Sequence, residues 1–153
     1  MPHPNSPTYL DEQVLRVAGG LPAAGAFDVA PLEIYCMGFD RVTLYVSYTR
    51  AGAGGSVVLR PEFSPVGAGA VWHRQALYAA AALVAGADAA SLVQCETLRY
   101  TSTAAGAETF ALGPIVLDQT ITRLRVACAE LGAIATPGTV EILARFSTLG
   151  LQK

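Results

Sequence analysis

The stretch RVTLYVSYTR, Arg41 to Arg50, decides the fold. Val42, Leu44, Val46 and Tyr48 fall on one side of it, and Thr43, Tyr45, Ser47 and Thr49 on the other. Alternation over ten residues marks a half-buried β-strand, because successive side chains of an extended chain point to opposite faces. AGAGG (Ala51 to Gly55) interrupts the pattern, since glycine gives up the most backbone entropy in regular structure. SVVLRPEFS (Ser56 to Ser64) then resumes it, with Val57, Leu59 and Phe63 on one side. The two segments are expected to form a hairpin. Pro61 has no N–H for a ladder, so the second strand is expected to be an edge strand or to bulge there.

The C-terminal third repeats the design. TRLRVACAEL (Thr122 to Leu131) lines up Leu124, Val126 and Cys128, and TVEILARFS (Thr139 to Ser147) lines up Val140, Ile142, Ala144 and Phe146. GAIATPG joins them, with Pro137-Gly138 as turn chemistry, and a second hairpin is expected. Asp28 to Tyr35, Val71 to Tyr78, Leu92 to Tyr100 and Glu108 to Leu117 complete about eight strands. Each has an apolar face that only a facing sheet can cover, so the expected fold is all-β: an antiparallel, jelly-roll-like β-sandwich. The alanine-rich stretch Tyr78 to Ala90 has the composition of a helix. Gly86 and the lack of periodic large apolar residues favour strand and loop.

The first 27 residues differ. Pro2, Pro4, Pro7 and Pro22, with Gly19, Gly20 and Gly25, break regular structure, yet Tyr9, Leu10, Val14, Leu15 and Val17 are apolar enough to seek burial. The chain is therefore divided into an extended N-terminal arm, residues 1–27, and a sandwich domain, residues 28–153. Pro4, Pro7, Tyr9, Leu10, Val14, Leu15 and Val17 are the candidate partner-binding residues of the arm. The plainer alternative is a frayed tail with one added strand, Gln13 to Ala18.

Composition narrows the function. Ten basic against twelve acidic residues, with no Lys/Arg stripe, leave out the electrostatic footprint of a nucleic-acid binder. The longest apolar run, Ala76 to Ala85, is half the ~20 residues that cross a bilayer, and the first residues lack the basic and apolar regions of a signal peptide. Synthesis in the cytoplasm, with no membrane partner, is expected. Cys36, Cys95 and Cys128 are odd in number and lie in apolar surroundings, so they read as buried free thiols. Only 14% of residues are charged while 52% are hydrophobic, more apolar surface than one folded unit readily hides. Copies are expected to cover one another, as a trimer with crossing arms.

The search for chemistry returns absences. His3 and His73 form no zinc-ligand spacing, GAGGSV (Gly52 to Val57) lacks the third glycine of a dinucleotide fingerprint, and no nucleophile elbow or phosphate loop occurs. Pairing Cys95 or Cys128 with His73 leaves no orienting third group. Glu62, Glu96, Glu108, Glu130 and Glu141 could act as paired glycosidase carboxylates, but Arg60, Arg99 and Arg145 lie close to Glu62, Glu96 and Glu141, so ion pairs are the expected reading. Trp72, Tyr45, Tyr48 and Tyr100 could line a sugar groove but read as core or interface residues. No catalytic residue, cofactor, metal or small-molecule substrate is expected.

FDRVTLYVSYTRAGAGGSVVLRPEFSP, the Trp72 that follows it, and RVACAELGAIATPGTVEILARFS resemble small virion structural proteins of tailed bacteriophages. The size, the Pro-rich arm and the Arg/Ala-rich composition resemble capsid decoration (auxiliary, or cement) proteins of thermophilic long-tailed phages. The likeness covers roughly Phe39 to Ser147. It implies a non-enzymatic homotrimer on the outside of the virion capsid, at three-fold positions, with arms engaging neighbouring subunits and the major capsid protein. A tail- or neck-associated virion protein and a carbohydrate- or receptor-binding sandwich are the alternatives.

Overall fold

The computed structural model describes residues 7–22, 25–51, 55–65, 71–74, 98–102, 106–117, 119–131 and 136–149. These contain nine β-strands and no helix: β1 (Pro7–Gly20), β2 (Glu33–Tyr35), β3 (Arg41–Arg50), β4 (Ser56–Pro65), β5 (His73–Arg74), β6 (Leu98–Thr101), β7 (Gly106–Val116), β8 (Ile121–Leu131) and β9 (Thr139–Leu149). They form two antiparallel sheets, a four-stranded sheet in the order β1-β9-β3-β7 and a five-stranded sheet in the order β2-β8-β4-β5, with β6 also paired to β4. The protein is an all-β sandwich.

The alternation that marks β3 sets its burial. Val42, Leu44, Val46 and Tyr48 are each at most 1% exposed and meet Val57, Leu59, Leu124, Val126 and Cys128 of the facing sheet. Val140, Ile142, Ala144 and Phe146 of β9 lie beside them in the same core. Burying each large aliphatic or aromatic side chain stabilises the fold by about 1.5–3 kcal/mol, so this double row is the main cohesive element.

Both expected hairpins are corrected. β3 pairs with β7 and β9, whereas β4 pairs with β8, β5 and β6, so the segment after Arg50 crosses from one sheet to the other. β8 and β9 are divided between the sheets in the same way. Alternation reports that a strand has an apolar face but not which sheet it joins. The five residues Ala51 to Gly55 can reach about 17 Å, enough to span sheets packed about 10 Å apart. Crossing sets the two apolar faces against each other instead of side by side.

Pro61 is likewise not in an edge strand. β4 has β8 on one side along its whole length, and on the other β6 at Ser56–Leu59 and β5 at Glu62–Phe63, with Pro61 between these two short partners. The register shift in the β4–β8 pair falls at Ser64/Pro65, away from Pro61. β3 and β7 shift register between Val42 and Leu44. Gly113 lies opposite this irregularity with φ +130°, and a Cβ there would sit 3.0 Å from the Val42 carbonyl oxygen. Only glycine fits.

Much of the segment expected as an arm is a strand, which contains the alternative strand Gln13 to Ala18. Residues 7–20 are β1, hydrogen-bonded to β9 of the same chain from Pro7↔Leu149 to Gly20↔Thr139. Of the segment expected to reach outward, residues 1–6, 23 and 24 lie outside the described residues, as do Tyr78 to Ala90 and Cys95. The expected strand over Asp28 to Tyr35 shortens to Glu33–Tyr35.

Candidate interaction surface

One arginine explains why β1 belongs to the sandwich. Arg16 donates from Nε and Nη2 to the two carboxylate oxygens of Asp28 at 3.2 and 3.1 Å. It donates further to the carbonyls of Gly19, Gly20 and Val140 at 2.9–3.1 Å. The carbonyls that β1 exposes as it bulges and ends thus find a partner in a neighbouring side chain. Asp28 in turn accepts the backbone N–H of Cys128 at 2.9 Å, so the pair ties the edge of one sheet to β8 of the other. Leu15, adjacent to Arg16, is 1% exposed.

Beside this clamp the surface turns apolar. Val17 is 65% exposed, Val29 98%, Leu32 51%, Tyr35 73% and Met37 68%. β1 and β2 are edge strands of their sheets, and Val17 and Leu32 line one depression of about 400 Å³. The run Val29–Met37 carries one acidic residue, Glu33, which is neutralised by Arg123 at 3.0 Å. Apolar side chains that project singly need no explanation, but four of these five fall within nine residues, on β2 and the segments flanking it.

The opposite polar elements are internal. Glu130 points into the core, fully buried, accepts the Tyr48 hydroxyl from the facing sheet, and accepts the Gly138 N–H at 2.6 Å. Burial, and then the hydrogen bond to Glu130, push the Tyr48 phenol well above its ordinary value. A Cβ on Gly138 would meet the Thr49 carbonyl oxygen at 2.5 Å, so the loop closes over this pair only with glycine. Burial also raises the Cys36 thiol to about 11 and the Cys128 thiol to about 12. Both are buried free thiols.

On the outer side of the five-stranded sheet, Glu62 is 4% exposed and is held by Arg60 at 2.9 Å and Arg125 at 2.6 Å. Trp72 lies against the guanidinium groups of Arg125 and Arg123, at 4.2 and 5.3 Å. Among the described residues no group of three or more His, Cys, Asp or Glu side chains could hold a metal ion.

The expected partner-binding residues separate. Val14 and Val17 are exposed and Leu15 is core. Pro7, Tyr9 and Leu10 lie in β1, and Pro4 lies outside the described residues. The four aromatics considered for a sugar groove do not share one: Tyr48 is internal, Trp72 stacks on arginines, Tyr100 stacks on Phe110 at 4.0 Å, and Tyr45 lies on the outer face of the four-stranded sheet. Glu62 has its expected Arg60 partner, but Arg145 pairs with Glu12 of β1, at 2.5 Å, and not with Glu141. The surface that sequence reasoning missed is Val29–Met37. Its signal was present: Ile34-Tyr35-Cys36-Met37 is apolar at four successive positions, so an extended chain there has oily side chains on both faces. Comparison of the chain with protein-family models, curated proteins and solved structures found no match.

Proposed function

We propose that the chain is a non-enzymatic virion structural protein that binds the outer surface of a tailed-phage capsid as a homotrimer and stabilises the head. The observation that carries this reading is the set of exposed apolar side chains Val17 on β1, Tyr35 on β2, and Val29, Leu32 and Met37 in the segments flanking β2. The strand order supports it: β1-β9-β3-β7 faces β2-β8-β4-β5, with most consecutive strands exchanging sheets, a pattern in keeping with the wrapping of a jelly roll. Jelly rolls recur in viral capsid and lectin domains. The resemblance of Phe39 to Ser147 to capsid decoration proteins selects the first of these.

The mechanism follows from linkage. A trimer that touches several capsid subunits converts each contact after the first into an intramolecular event, so modest apolar contacts add into firm attachment without any catalytic group. The binding role expected of residues 1–27 moves to the fixed edge formed by β1 and the Val29–Met37 segment, with Val14 and Val17 the retained candidates. The test is co-sedimentation of the full chain with expanded, undecorated heads of the same virion. Saturable pelleting, lost in the Val29→Asp/Tyr35→Asp/Met37→Asp variant, is expected. Failure to pellet with heads would overturn the reading.

A further inference from the structure

We propose that the outer face of the four-stranded sheet is a binding site for a neutral hexopyranose unit of a glycan. The site is independent of the capsid-binding edge, and its success or failure leaves that reading untouched.

The registers build the site. Tyr45 lies across from Ala111 of β7 and Leu143 of β9, and Leu143 in turn across from Val14 of β1, which makes one row apolar. Two residues along, Ser47 lies across from Thr109 and Glu141, which makes the next row two hydroxyls and a carboxylate. With strands about 4.8 Å apart and alternate residues about 7 Å apart, the two rows over three strands measure roughly 10 by 7 Å. They line a shallow depression of about 390 Å³, within the range of small-ligand sites. A pyranose ring has the matching division, a C–H face that packs on apolar side chains and a rim of hydroxyls.

Glu141 supplies the second observation. Every other acidic side chain among the described residues has a hydrogen-bond or ion-pair partner, whereas Glu141, half-buried in β9, has none among the described residues. Arg145, four residues along on the same face, is taken by Glu12 and lies over the Tyr45 ring at 4.9 Å. The face therefore offers a free carboxylate able to accept two hydroxyl donors, beside the Ser47 and Thr109 hydroxyls. Its unbalanced negative charge selects against sialylated, sulfated or phosphorylated ligands.

The experiment is a titration of the ¹⁵N-labelled full chain with methyl glucoside, methyl galactoside, methyl mannoside and N-acetylglucosamine, followed by amide shifts. At least one sugar is expected to shift Tyr45, Ser47, Thr109 and Glu141 saturably. Glu141→Gln should weaken that binding about tenfold, the loss of a charge-assisted hydrogen bond, and Tyr45→Ala should weaken it comparably, both with an unchanged fold in the spectrum. No saturable shift with any of the four sugars, shifts confined to other residues, or binding indifferent to Glu141→Gln would each overturn the proposal.

Discussion

Arg16 and Asp28 lie twelve residues apart and close a two-bond fork across the open end of the sandwich, with each side chain about 15% exposed. Arg16 also holds three carbonyls, so Arg16→Ala strands both an acid and backbone acceptors. Breaking a largely buried pair costs about 3–5 kcal/mol, reduced here by partial solvent access to about 2–3 kcal/mol. Thermal unfolding should move down by roughly 4–12 °C, at about 2–4 °C per kcal/mol for a domain of this size. An unchanged melting temperature would contradict the clamp.

Deleting residues 1–20 should prevent folding of the remainder. The deletion removes Leu15 from the core, takes Arg16 away from Asp28, and exposes the edge of β9. A mobile arm would instead come away cleanly. Circular dichroism of the truncated chain separates the two, and a native-like β spectrum with cooperative melting would show that β1 is dispensable.

Tyr48→Phe should cost about 1–3 kcal/mol, since it leaves a fully buried Glu130 oxygen without its donor. Gly138→Ala, at the other oxygen, should cost about as much by forcing a methyl against the Thr49 carbonyl. Urea unfolding of each variant checks both values, and a neutral result for either would mean the loop closes in another way.

Stability should fall as the solution becomes alkaline. Below pH 9 the thiols of Cys36 and Cys128 and the phenol of Tyr48 are protonated in both folded and unfolded chains. Above their ordinary values of 9.0 and 10.0 the unfolded chain releases these protons while the folded chain keeps them, the thiols until about 11 and 12. The unfolded state then binds fewer protons, so the stability is lost from about pH 9 upward and not on the acid side. Urea midpoints from pH 7 to 11 test this. The Cys36→Ala/Cys128→Ala variant should show a shallower decline, and an equal slope would rule out the thiols as its source.

The fold was legible because each principal strand carries its own alternation. Val42 to Tyr48, Leu124 to Cys128 and Val140 to Phe146 all face the core as their spacing dictates. Sheet membership was not legible, because an apolar face is equally satisfied beside or opposite a neighbour, and five residues suffice for either connection. The N-terminal strand was read only in part, as the alternative strand Gln13 to Ala18, for a different reason. Register shifts at Pro7/Leu10, Val14/Arg16 and Arg16/Gly19 erase its alternation, and the partner that stabilises it, Asp28, is reached only through a long-range side-chain fork. Glu141 was misread through its neighbour: Arg145 shares its face, but β1 brings Glu12 across to take the guanidinium.

The most direct test of the account is the solution mass of the full chain by light scattering across a concentration series. The proposed homotrimer predicts a particle of three 15.9 kDa chains, reduced toward one chain by aspartates at the exposed Val29, Tyr35 and Met37. A stable 15.9 kDa particle at every concentration, unaffected by those substitutions, would contradict it.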